Sequence, residues 1–174
     1  MPVLNHKSDA ENAADIVRDA GGEVVGRTRL QKMAYLLEIS GLGSGFGFEY
    51  RYYGPFSEEL ANAVSEAQYS SLLTEEEHST GWGGSYSIFR SKSSAHGSSA
   101  NDARMRILRI GVKANPIALE LAATAAYLAL EKDSDPWAET RRRKPEKADK
   151  HLDGAKKLYA ELRSIRTPKA LPNI

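Results

Sequence analysis

The residues able to do chemistry are few and scattered. The chain of 174 residues contains no cysteine, which removes disulfide scaffolds, cysteine-ligated zinc, iron–sulfur clusters and cysteine nucleophiles. His6, His78, His96 and His151 stand in separate segments with none of the short spacings that let two imidazoles share a metal, so no metal site is expected. His78 follows Glu75, Glu76 and Glu77, which a charged strand explains as well as a carboxylate–histidine site does. The glycines at 41, 43, 45 and 47 alternate and follow a helix instead of opening one, so they lack the geometry that presents amides to a phosphate. No nucleophile-elbow pattern occurs. No catalytic residue and no cofactor is assigned. The polar chemistry left is that of a binding surface.

Three groups of residues qualify. Arg27, Gln31, Lys32 and Tyr35 are spaced so that the first two are one helical turn apart and Tyr35 follows Gln31. They read either as a surface for an acidic partner or a phosphate, or as internal contacts, with Gln31 closing a helix cap and Lys32 in a salt bridge. Tyr53 opens the run Tyr53-Gly54-Pro55-Phe56, which is either an aromatic patch or a tight turn with Tyr53 and Phe56 packed inward. In the inward case Tyr50 and Tyr52 are the better surface residues. Trp82, flanked by glycines, reads as a contact for a partner or as a side chain folded back on the core. The third group is basic: Arg141, Arg142, Arg143 and Lys144, with Lys147 and Lys150 further on. On one continuous helix, 143, 147 and 150 share a face that could meet nucleic acid or an acidic protein. Arg104, Arg106 and Arg109 form a weaker second strip.

Charge is divided along the chain. Residues 1–140 carry 13 basic and 19 acidic residues, and residues 141–174 carry 11 and 4, returning the net +1 of the whole. Bulk charge therefore does not favour nucleic acid, and the opposed halves could drive docking or self-association.

These residues need elements to hold them. Ser8 and Glu11 form a capping box ahead of a first helix that ends at Gly21-Gly22. Thr28 and Gln31 read as a second box, opening a helix whose Leu30, Met33, Ala34 and Leu37 make one apolar face. The glycine-rich stretch 41–47 reads as a flexible loop and 48–53 as a strand broken by Gly54-Pro55. Ser57 caps a third helix with Leu60, Ala61, Val64 and Ala67 inward. Segments 74–79 and 85–90 alternate as a β-hairpin. The serine-rich stretch that follows reads as a mobile loop, and a fourth helix starts near Asn101. Asn115-Pro116 opens a helix apolar almost all round, and Asp135-Pro136 opens another. Lys144-Pro145 interrupts that helix. A last helix follows, with Ala148, Leu152, Ala155, Tyr159 and Leu162 inward, and a flexible tail at 167–174.

The expected fold is mostly α with a small β-hairpin, in one domain. Residues 1–92 form a winged-helix-like part, 93–100 a loop, and 101–166 a C-terminal helical extension. No stretch has the roughly 20 apolar residues of a membrane span, and the first eleven residues lack a signal-peptide core, so a cytoplasmic protein is expected. The third helix carries Glu58, Glu59 and Glu66 and no basic residue, which opposes the usual winged-helix docking on DNA.

Three segments together resemble a known group: Gly26 to Leu37, with Leu30-Gln31-Lys32 at its centre; Tyr53-Gly54-Pro55-Phe56-Ser57; and Arg143-Lys144-Pro145 before a final amphipathic helix. They are similar to the YwgA-like bacterial and phage-associated proteins and, more distantly, to the Panacea domain of type II antitoxins. The resemblance implies a helical, winged-helix-related fold. It also implies a non-catalytic role, binding a toxin or another protein as an antitoxin, adaptor or regulator. The alternative is a DNA-binding regulator acting through 141–150.

Overall fold

The computed structural model describes residues 6–93 and 102–174, so the serine-rich loop from 94 on, His96 and Asn101 lie outside the described residues. Seven helices and two small antiparallel sheets make up the described part. The mostly α fold expected from the sequence is what forms.

Helix α1 (Asp9–Asp19) starts at the Ser8/Glu11 capping box, with both reciprocal bonds in place. Strand β1 (Glu23–Val25) follows. It escapes a reading by periodicity because three residues with one buried side chain leave no pattern. Helix α2 (Arg27–Ile39) begins one residue earlier than expected, after Gly26 at φ +101°, with no side-chain cap. The Thr28–Gln31 capping box is therefore not formed. Every residue of α2 from Leu30 to Leu37 is buried. A helix packed on all sides has no polar face, so the surface placement of Gln31, Lys32 and Tyr35 is overturned.

The expected strand at 48–53 is instead a tight hairpin. Strands β2 (Glu49–Arg51) and β3 (Gly54–Phe56) pair antiparallel about Tyr52-Tyr53, so the Gly-Pro pair lies inside a strand rather than ending one. Gly54 sits at φ +88°, and a β-carbon there would lie 2.5 Å from Thr124 Oγ1. Only glycine meets both demands. The preceding glycine-rich stretch is pinned, with Phe46 buried and the Gly45 amide donating to the Glu38 carboxylate.

Helix α3 (Glu58–Tyr69) takes its cap from Ser57, whose hydroxyl accepts from Leu60 N. Strands β4 (Leu73–Ser79) and β5 (Ser85–Ser91) form the expected hairpin, and β1 adds to its β5 edge to give the order β1-β5-β4. Helix α4 (Ala103–Lys113) crosses α2 closely: a β-carbon on Gly111 would meet Met33 Cγ at 2.6 Å. Helix α5 (Pro116–Leu130) is buried along most of its length. Helices α6 (Pro136–Arg143) and α7 (Pro145–Arg163) are separated at Lys144, where the proline ends the hydrogen-bond ladder. This break puts Arg143 on a different helix from Lys147 and Lys150, so the single basic face expected across them does not form.

One apolar core runs from α1 through α5 and α7 to Leu171. The tail does not trail away. Ile165 and Leu171 are buried, Lys169 N donates to Ser40 O, and the Tyr159 hydroxyl donates to Pro172 O. No described helix is long and apolar enough to cross a membrane.

Candidate functional site

The β2–β3 hairpin folds over the join between α6 and α7, and under it lies a group of buried charges. Glu120, on the apolar helix α5, is 4% exposed. It accepts from Lys144 Nζ at 2.8 Å and from Lys147 Nζ at 2.8 and 2.9 Å. Lys144 also donates to Tyr52 O at 3.0 Å, so it ties hairpin, α5 and the α6–α7 break together. Lys32 is 1% exposed and donates to Pro55 O at 2.7 Å, with no carboxylate partner among the described residues. Burial pushes its amine down to about 8; nearby Glu120 opposes the shift, while Lys144 and Lys147 add to it. Two ammonium groups thus share one carboxylate, and a third, that of Lys32, is held close by on a backbone carbonyl alone.

Exposed aromatic rings cover this cluster. Tyr52 is 82% and Tyr53 51% exposed, so the inward packing expected of Tyr53 does not occur. The two rings meet edge to face at 4.8 Å. Lys147 Nζ lies 4.9 Å from the Tyr53 ring centre, and the Arg143 guanidinium 4.7 Å from that of Tyr50. Between hairpin and helix join is an open groove of about 690 Å³. The Tyr-Gly-Pro turn and the basic C-terminal segment, far apart in the sequence, therefore share one surface.

The remaining basic residues are not one patch. Arg142 and Arg143 both donate to Glu139, and hold its carboxyl down to about 2. Lys144 is buried, which removes it from any open basic face. Arg141 and Lys150 are exposed. Arg104 is tied to Asp19 and to Leu42 O, leaving Arg106 and Arg109 as the exposed members of the second strip.

A second groove, of about 530 Å³, lies between α2, α3 and the three-stranded sheet. Leu30, Leu60, Val64 and Phe89 give it apolar walls. Arg27, Gln31, Lys32 and Tyr53 line it too, so four of the sequence candidates come together here. Arg27 sits at the rim and bonds the Glu75 carboxylate through Nε and Nη2. Burial alone would raise the Glu75 pKa; hydrogen bonds from Ser87, Arg27 and Gln68 outweigh it and hold it below the usual value. Gln31 is 6% exposed and makes a reciprocal pair with Ser57, its amide donating to Ser57 O and its carbonyl accepting from Ser57 N. It caps no helix of its own but fixes the residue that caps α3.

Tyr35 lies apart from both grooves. It is 3% exposed and packs against Phe48 and Tyr127, with its hydroxyl pKa raised by burial. Trp82 stands 97% exposed at the β4–β5 turn, as one of its two readings had it. His78 stacks on Tyr86 beside Glu76, in the plain setting of a charged strand. No group of potential metal ligands occurs among the described residues.

Glu120 is the functional candidate that a reading by motif misses. Its signal is a lone carboxylate in an otherwise apolar helix, a placement that demands a buried cation. No protein-family model matches the chain, and no curated protein matches it.

Proposed function

We propose that the protein is a non-catalytic recognition module that takes a segment of another protein into the groove between α2, α3 and the three-stranded sheet, as an antitoxin-like or adaptor protein would. The observation that carries this is the groove itself. Its walls are apolar, its rim holds Arg27 and Tyr53, and its floor is fixed by buried hydrogen bonds of Gln31 and Lys32. Such a floor is preorganised, so little order has to be gained on binding. Two of the three motifs behind the resemblance to YwgA-like and Panacea proteins, Gly26 to Leu37 and Tyr53 to Ser57, fall on the elements that build the groove, which supports the same class of role. The element order α1-β1-α2-β2-β3-α3-β4-β5, with β1 on β5, supports a winged-helix reading of this half in which the β2–β3 hairpin is an insertion between α2 and α3.

The reading as a duplex-DNA regulator has less behind it. Helix α3 presents glutamates, Arg142 and Arg143 share Glu139, and Lys144 is buried.

Affinity capture from the native host with and without nuclease tests the proposal. A nuclease-resistant protein, retained by the parent and lost with Ala61→Arg at the half-buried edge of the groove, with thermal melting to show that the variant is folded, is the expected result. Capture that survives Ala61→Arg, or that depends on DNA and on Arg141 to Arg143, overturns it.

A further inference from the structure

We propose that the partner segment carries an acidic side chain, Asp or Glu, among apolar ones, and that its carboxylate enters the groove between α2, α3 and the three-stranded sheet to pair with Lys32. This inference rests on the reading of that groove as the partner site, and adds what the partner must bring to it.

Three charged residues line the groove: Arg27, Lys32 and Glu75. The first and last are matched. Glu75 accepts from Arg27 Nε and Nη2, from the Ser87 hydroxyl and from the Gln68 amide, so both its oxygens are taken. Lys32 is not matched. An ammonium has three protons to donate, and among the described residues that of Lys32 places one, on Pro55 O at 2.7 Å. Glu120, whose charge acts on Lys32, is bonded by Lys144 and Lys147 instead. Residues 1–5 and 94–101, outside the described part, contain no Asp or Glu to pair with it. A cation 1% exposed and without a bonded counter-ion has lost its hydration for little return, and burial accordingly pushes its amine down.

Three properties of the occupant follow. Its head is a monoanion, because one ammonium offsets one negative charge and a phosphate dianion would bury a second charge unmatched. The rest of its buried surface is apolar, because Leu60, Val64 and Phe89 form the walls. Its body lies outside, because the rim at Arg27 and Tyr53 is open to solvent and lets side chains enter while a backbone passes over them. An acidic residue with apolar neighbours on one segment meets all three conditions. A charge pair desolvated in this way also fixes the register of the segment in the groove.

A displayed library of random dodecapeptides, panned on the full chain, supplies the probes. Peptides retained by the parent and lost with Ala61→Arg should carry Asp or Glu flanked by apolar residues. In calorimetric titration of one such synthetic peptide, exchange of its acidic residue for the matching amide should weaken binding about thirtyfold, as loss of one partner of a desolvated pair does. Lys32→Met should weaken the acidic peptide by as much and bind the acidic and amide forms alike, with thermal melting to confirm that the variant is folded. The exchange within the peptide needs no variant of the protein, so it decides the question even where Lys32→Met does not fold. Groove-dependent peptides that hold no acidic residue, or that lose nothing when it becomes an amide, overturn the inference and leave the partner groove standing. A library with no groove-dependent peptide overturns both. Octanoate that binds the parent and not Lys32→Met, in the absence of such peptides, assigns the groove to a small acid and overturns the inference too. Self-association that is lost with Lys32→Met does the same by assigning the groove to a second copy of the chain.

Discussion

Lys32 is the residue with the strongest consequences. Its amine is buried with one backbone acceptor and two lysines for neighbours, and titrates near 8 instead of 10.5. Between those values the unfolded chain binds a proton that the folded chain does not. Stability therefore rises with pH from about 8 to about 10.5, and the gain is lost as pH falls through 8. The full contribution is about 3 kcal/mol. Urea unfolding of the parent and of Lys32→Met across this range should show the slope in the parent only, and at pH 7 the variant should be no less stable than the parent. Glu120 is the converse case. Glu120→Gln leaves Lys144 and Lys147 without their carboxylate and should cost about 3–5 kcal/mol at pH 7 in the same assay. Gln31 answers to hydrogen bonding alone: Gln31→Leu strands both backbone groups of Ser57 and should cost about 2–4 kcal/mol.

At the scale of elements, the β2–β3 hairpin depends on its glycine and on α5. Gly54→Ala should lower stability by about 2–4 kcal/mol, since the added methyl meets Thr124 Oγ1 and the backbone is left-handed. Thr124→Ala in the same chain should recover the part due to the clash and leave the part due to backbone strain, as thermal melting of the single and double variants would show. Elements with a strong period or cap were legible beforehand: α1 from its capping box, α3 from Ser57, α5 from Asn115-Pro116, and α7 from five inward residues that are all buried. The start of α2 was not, because Thr28 and Gln31 fit a cap in sequence, while Gln31 has a better use in a contact 26 residues away. Strands β1, β2 and β3, each three residues long, fall below the length at which alternation can be seen. The tail was misread because proline and exposed polar residues at a chain end look alike whether or not two apolar side chains among them are docked.

For the whole molecule, charge division along the chain turns into local pairing. Glu120 and Glu139, from the acidic part, hold four of the cations that follow them. Sequence shows the imbalance but not which charges meet, so Arg143, Lys144 and Lys147 looked like one solvated strip. In the fold they serve different ends: a ring contact, a buried tie and a half-buried pair. Hydrogen exchange offers a test at this scale. In Glu120→Gln, amide protection should fall together in β2–β3 and at the start of α7, while β4–β5 and α1 keep theirs.

The buried tie at Lys144 has a consequence for how the chain reaches its final state. Its bonds join it to residue 120 and to residue 52, ninety-two positions away, and Lys32 must meet Pro55 beside them. No contiguous fragment that lacks either end of that span can assemble the charge cluster. Closing so long a loop is slow and comes late when entropy must be lost before contacts form. The hairpin should therefore be among the last elements to lock. A ligand that prefers the locked form would act as a check on completed folding, holding finished molecules and passing over unfinished ones.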